Sequence, residues 1–278
     1  MPTASHLRAQ IEAILAERIP SALTPMARIP HAVAATGIPD IDLLLHGGFP
    51  VGALSEVVGP ECSGRTSLAL AFIASMTQAG KVCAWVDVSD ALHPESVAAM
   101  GVDLTRLLWV RCGSSLSTVP LPQASQRGLR KTVSKSWTRL EQALRVTDLL
   151  LQAGGFSCIV LDMGSLNAEY ALRVPLATWF RFRTAAERLQ SNVLLLTQHA
   201  CSRNSAGLVL RLEPGSVLTA DSTIFTGLEH RAELTRQRFP QSPGNVLPIR
   251  STAGPDRKQP QSVQTMQWQG RTHWAGRS

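Results

Sequence analysis

The stretch GPECSGRTS, Gly59 to Ser67, lies between the apolar run LSEVV (54–58) and the run LALAFIASMTQAG (68–80), whose apolar residues recur at helical spacing until Gly80 stops them. Gly59, Gly64 and Thr66 fall in register with the phosphate-loop pattern G-x-x-x-x-G-K-[ST], but Arg65 stands at the lysine position. In such a loop, successive backbone N–H groups curl around phosphate oxygens at a helix N-terminus. Gly59, Pro60, Glu61, Cys62, Ser63, Gly64, Arg65, Thr66 and Ser67 are therefore candidate phosphate-binding residues, with the Thr66 hydroxyl placed for Mg²⁺ and Ser67 for an inner phosphate. Arginine keeps the positive charge but is wider and planar, a poor substitute for a compact ammonium. Attraction to phosphate survives that change, whereas the placement on which phosphoryl transfer depends suffers. Cys62 either stands in for a serine or, near a helix N-terminus, is an oxidisable thiol.

Outward from the loop, strand-like and helical patterns alternate. KVCAWVDV (81–88), LLWVRC (107–112), SCIVLDM (157–163) and NVLLLTQHA (192–200) read as buried strands, and WTRLEQALRVTDLLLQAGG (137–155) and VPLATWFRFRTAAERLQS (174–191) as helices. This alternation predicts an α/β fold with a mainly parallel sheet flanked by helices. GLVLRLEP (207–214) and STIFTGLEHRAELTRQRF (222–239) read as later strands, the last as part of a hairpin. The expected organisation is an amphipathic N-terminal helix and linker over 1–33, with Ile11, Ile14 and Leu15 on one side, then a core over 34–239. A basic mobile loop is expected over 113–136, and a basic, disordered tail rich in Pro, Gln, Ser and Gly over 240–278.

The net charge of +7 is concentrated in two places. From Arg236 onward seven cations oppose only Asp256, and the 113–136 segment carries Arg127, Arg130, Lys131 and Lys135 without an acid. Localised positive charge favours DNA or an acidic partner. Arg236, Arg238, Trp268 and Trp274 are the candidate partner-binding residues, since Arg and Trp are natural anchors for a segment that orders on binding. Five widely spaced cysteines without a C-x-x-C pair argue against disulfides or zinc and for a reducing cytoplasm. No run of 18 apolar residues exists, so no membrane span is expected.

ATGIPDIDLLLHGGFPVGALSEVVGPECSGRTSLAL (35–70) resembles the core of the RecA family, with a T-G-x-x-x-x-D lead-in and G-G-x-P-x-G before the phosphate loop. The likeness continues through VDVSDALHPESVAAMGVDLTRLLWV (86–110), IVLDMGSL (159–166) and VLLLTQHA (193–200). PLATWFRFRTAAERLQSNVLLLTQ (175–198) and ELTRQR (233–238) look most like the shorter ImuA-type accessory proteins of bacterial translesion DNA synthesis. The resemblance implies a RecA-like core using ATP and Mg²⁺. It places the metal-holding aspartate at Asp162 and the glutamine that senses the terminal phosphate at Gln198.

Other positions depart from the family. Ser89 stands where the water-activating glutamate belongs, and a serine has no useful basicity at neutral pH. Asp90 is its neighbour, but adjacent residues on an extended segment point apart. Ser96 replaces the tyrosine that stacks on adenine, and His93 either meets the base or simply begins a helix at Pro94. The long DNA-binding loop shortens to HACSRNSAG (199–207). With Arg65, these departures imply a site degenerate for hydrolysis and a non-catalytic adaptor in SOS-induced DNA damage tolerance. Its implied partners are a Y-family-polymerase-like protein (ImuB type), an error-prone C-family DNA polymerase and RecA. A DNA-dependent ATPase of recombinase type and a regulator of RecA filaments are the alternatives.

Overall fold

Four of the strands expected from apolar runs, at Leu54–Val58, Cys83–Asp87, Cys158–Asp162 and Asn192–Thr197, are buried along almost their whole length, as a parallel sheet covered by helices requires. Leu107–Arg111, expected to be buried, is instead half-buried to exposed at the sheet's edge. The computed structural model describes residues 5–6, 32–113, 135–220, 223–238 and 265–271. Two short strands, β1 (Val33–Ala34) and β2 (Phe49–Pro50), pair antiparallel around helix α1 (Pro39–Leu44). Thr36 N–H donates to the Asp42 carboxylate at 2.6 Å across this unit, which gives the T-G-x-x-x-x-D pattern its physical meaning: the aspartate ties down the turn that enters α1.

The main sheet contains β3 (Leu54–Val58), β4 (Cys83–Asp87), β5 (Leu107–Arg111), β6 (Cys158–Asp162), β7 (Asn192–Thr197), β8 (Leu208–Ala220), β9 (Thr223–Gln237) and β10 (Thr265–Arg271). Their spatial order is β10-β9-β8-β3-β7-β6-β4-β5. The six strands from β8 to β5 in that order run parallel, while β9 and β10 are antiparallel additions. Side-chain alternation splits the core into two layers. Val57, Trp85, Val160 and Leu194 face α1, α2 (Arg65–Gln78) and α3 (Pro94–Ala99). Leu54, Val86, Ile159 and Leu195 face α4 (Lys135–Ala153), α5 (Ala168–Leu172) and α6 (Leu176–Leu189). The predicted α/β architecture is the observed one.

The 240–278 segment, expected to be disordered, supplies β10, which pairs with β9 from Thr265 opposite Glu233 to Arg271 opposite Gly227. Its sequence TMQWQGR alternates apolar and polar residues, a period-two pattern that suits a strand. The expected helix and linker over 1–33 (apart from residues 5–6 and 32–33), the 114–134 part of the basic loop and the rest of the tail lie outside the described residues.

Glu56, in the middle of β3, is fully buried. Its carboxylate accepts from Thr197 Oγ1 (3.3 Å), Cys201 N (2.7 Å), Ser202 N (3.4 Å) and Ser202 Oγ (2.5 Å). A buried carboxylate is tolerated when its lone pairs are used, and here they hold the 198–207 connection flat against the sheet. Cys201 and Ala206 from that connection join the apolar layer beneath α6. Glu56→Leu leaves those donors without an acceptor and is expected to cost about 2–4 kcal/mol. Glu56→Gln, which keeps one carbonyl acceptor, should lose less. Urea denaturation of the three proteins measures this; equal midpoints would show that Glu56 does not anchor the connection.

Candidate functional site

The C-terminal ends of β3, β7, β6 and β4 lie side by side, and each carries one element of the site. Beyond the strands proper, Gly59 N–H bonds Thr197 O (3.1 Å), Met163 N–H bonds Leu196 O (3.0 Å) and Val88 N–H bonds Asp162 O (3.2 Å). The ladder therefore fixes the phosphate loop, Gln198, Asp162 and Asp87 relative to one another. The loop itself closes tightly: a Cβ at Gly59 would stand 2.3 Å from Leu212 O and 2.6 Å from Ser63 Oγ. Gly64, the residue before α2, has φ of +87°, a left-handed conformation that glycine adopts without penalty. Cys62 and Thr66 are exposed, whereas Ser63 and Arg65 are buried.

Arg65 is 8% exposed although it opens a helix, where the macrodipole disfavours a cation. Its Nη2 donates to Gly164 O at 3.2 Å, and Gln198 Nε2 donates to the same oxygen at 2.9 Å. Gly164 N–H in turn donates to Asp162 Oδ1 at 2.9 Å. Gly164 is thus the hub that joins the loop, Asp162 and Gln198. Arg65 Nη1 and Ser63 Oγ are buried without hydrogen-bond partners, and each such group costs roughly 1–3 kcal/mol unless something binds it. Burial lowers the Arg65 pKa, with Asp162 and then Glu61 acting against that shift. Burial raises the Asp162 pKa to about 6, the Gly164 N–H opposing it, with Asp87 adding to the rise and Arg65 opposing it.

The departures from the family pattern each have a structural role. Asp87, which the sequence reading passed over, is fully buried beside Asp162 in the β4–β6 register. It accepts from Ser89 N (3.2 Å) and Leu92 N (2.8 Å), so it shapes the turn after β4. The signal for it was an acid ending an otherwise apolar strand. Asp90 is held away by a two-pronged bond to Arg111 (2.5 and 2.7 Å), whose guanidinium lies 4.9 Å from the centre of the Trp109 ring. His93 precedes α3 as its N-cap, accepting from Ser96 N at 3.3 Å and lying 3.1 Å from Ser96 Oγ. Of the two readings of His93, beginning a helix is the one seen, and Ser96 belongs to that cap.

A cavity of about 510 Å³ opens beside the loop, lined by Gly59, Pro60, Gln198, His199, Arg211 and Pro214 among others. The loop, Asp162 and Gln198 meet around Gly164. Arg236 and Arg238, two of the four candidate partner-binding residues, lie elsewhere. Arg236 donates to Arg203 O and to Asn204 Oδ1 (3.3 Å), and Arg238 N–H bonds Gly207 O, at the end of the sheet where β3 begins. Both line a hollow of about 420 Å³ there. Trp268 lies in β10 opposite His230, and Trp274 is outside the described residues. No helix among the described residues is long and apolar enough to cross a membrane, and none of their cysteines forms a disulfide.

Residues 22–115 match the model of the RecA N-terminal domain. RecA of Crocosphaera subtropica is 35% identical over 136 residues, 49% of this chain and 32% of that protein. RecA of Acidothermus cellulolyticus is 34% identical over 158 residues, 56% of this chain and 39% of that protein. RecA of Bordetella petrii is 36% identical over 131 residues, 47% of this chain and 30% of that protein. The chain spans about a third of the length of these curated relatives. A crystal structure of the RadB recombinase shares the fold, with a TM-score of 0.51 at 22% identity, over 74% of this chain and 91% of that one. The chain is RecA-like in sequence over this region and in fold.

Asp162 supplies a check on the site's electrostatics. Its folded pKa of about 6 lies above the ordinary 3.8, so between those values the folded state holds a proton that the unfolded state has lost. Stability therefore falls as pH rises through that window. Relative to Asp162→Asn, the wild type should lose on the order of 1–3 kcal/mol between pH 4 and pH 6 and no more above it. Urea titrations across that range read the difference; a difference independent of pH would mean that Asp162 is not a desolvated acid.

Proposed function

We propose that this chain is a non-catalytic RecA-like accessory protein of DNA damage tolerance, an adaptor for translesion synthesis. The observation that carries this reading is the fate of the acids around the loop. Ser89 cannot act as a base, Asp90 is tied to Arg111, and Asp87 is buried and engaged by backbone N–H groups. A phosphate loop without a base for the attacking water can hold a nucleotide but hydrolyses it poorly. The connection after β7, where the RecA family carries its DNA-binding loop by resemblance, is held against the sheet by Glu56. That arrangement suits a protein whose partners are met elsewhere, through its basic segments and the chain beyond β9. The partners on this reading are the ImuB-type and C-family polymerase proteins, with DNA contacted through basic residues.

A recombinase-type ATPase is the second reading, favoured by the similarity to RecA proteins and by the RadB fold. A regulator of RecA filaments is compatible with the same similarity. Steady-state ATP hydrolysis with and without single-stranded DNA separates the readings. The adaptor reading expects turnover at background in both conditions, and Arg65→Lys alone should not restore it because Ser89 remains. DNA-stimulated turnover in the wild type would select the recombinase. Co-purification tests the partner: the full chain should capture the Y-family-polymerase-like protein, and a chain ending at Arg238 should not. Capture by the truncated chain would move the interface onto the sheet and helices.

A further inference from the structure

The loop fits an anion, but its surroundings do not fit the divalent metal that the RecA resemblance implies. Two positive features converge on the loop: the N-terminus of α2 and the guanidinium of Arg65. Arg65 is buried, its Nη2 is spent on Gly164 O, and its Nη1 has no hydrogen-bond partner. Ser63 Oγ, 1% exposed and equally unpartnered, stands over Gly59 in the same loop. Both are buried groups waiting for an acceptor, and a phosphate oxygen is the acceptor such a loop is built around.

On the metal side of the site, Arg65 stands near the carboxylate expected to hold the ion. A Cβ on Gly164 would stand 3.1 Å from Asp162 Oδ1, 3.2 Å from Arg65 Nη1 and 3.3 Å from Arg65 Cζ. The guanidinium and the carboxylate expected to hold Mg²⁺ therefore crowd the same glycine. Asp162 Oδ1 is also engaged by Gly164 N–H. Mg²⁺ prefers near-octahedral oxygen ligation and keeps several waters, and a guanidinium beside Asp162 narrows the room for them and adds a repelling charge.

We infer that Arg65 is a built-in cation that takes the place of the metal, so that the Gly59–Ser67 loop binds a diphosphate or triphosphate group without Mg²⁺. The inference rests on reading the loop as a phosphate cradle, and it adds the class of ligand. Ser96 belongs to a helix cap rather than a stacking platform, so recognition is directed at the phosphate chain and inorganic pyrophosphate is a sufficient probe.

Isothermal titration of the full chain with pyrophosphate and with ATP, each in EDTA and in excess Mg²⁺, tests it. The dissociation constant in EDTA should equal that in Mg²⁺ within about threefold, or be tighter. Electron paramagnetic resonance with Mn²⁺ and pyrophosphate should show no protein-bound Mn²⁺. In Arg65→Lys the approach to Asp162 opens, and binding should become at least about tenfold tighter with Mg²⁺ than with EDTA. The wild-type titration and the Mn²⁺ spectrum decide the matter even if that variant does not fold. Binding that requires Mg²⁺ in the wild type, or protein-bound Mn²⁺ with pyrophosphate, overturns the built-in cation and leaves the phosphate cradle standing. Absence of binding in both conditions overturns the cradle and the inference together.

Discussion

A guanidinium at the start of a helix must find acceptors away from the helix, because the exposed N–H groups there repel it. Arg65 solves this by reaching Gly164 O, an oxygen 99 residues along the chain that Gln198 also uses. Much of the site's order depends on that one carbonyl. It fixes the first turn of α2 against the end of β6, sets Gln198 beside them, and brings a positive charge close to Asp162. A lysine at position 65 would be a flexible point charge with no fixed fork, and it would leave Gly164 O with Gln198 as its remaining partner. The residue that breaks the phosphate-loop pattern is thus also a structural tie.

Two buried carboxylates do comparable work elsewhere. Glu56 gathers the connection between β7 and β8, and Asp87 gathers the turn after β4. In each, backbone N–H groups saturate an acid that would otherwise be too costly to bury. Asp87 at the C-terminal end of the sheet and Glu56 further in are thus both committed to holding connections in place.

Much of the fold could be read from the sequence because a covered parallel sheet needs unbroken apolar strands, and these stand out between helical runs. The loop, Asp162 and Gln198 were legible for a similar reason: a motif at a strand end fixes its own position. Gly164 was not legible, since its importance lies in a carbonyl oxygen that every residue possesses. Glu56 showed itself only as a lone acid in LSEVV, with no hint of partners 141 to 146 residues away. The strand TMQWQGR carried a period-two pattern, but the Pro- and Gln-rich composition around it argued for disorder. Composition averages over a window, whereas an edge strand needs only seven suitable residues and a partner with unpaired backbone groups.

The separations spanned by these ties have a consequence for how the chain acquires its shape. Arg65 waits for Gly164, and Glu56 waits for Cys201 and Ser202, so neither charge is satisfied within the first half of the molecule. Emerging from the ribosome, β3 and α2 carry a cation and an acid whose partners are not yet made. Burying either side chain before β6 and β7 are in place would leave it without its partners, at the cost of an unsatisfied buried group. Long-range pairing of this kind slows folding. The two ties thus link the order of β3 and α2 to the arrival of strands from the far half of the chain.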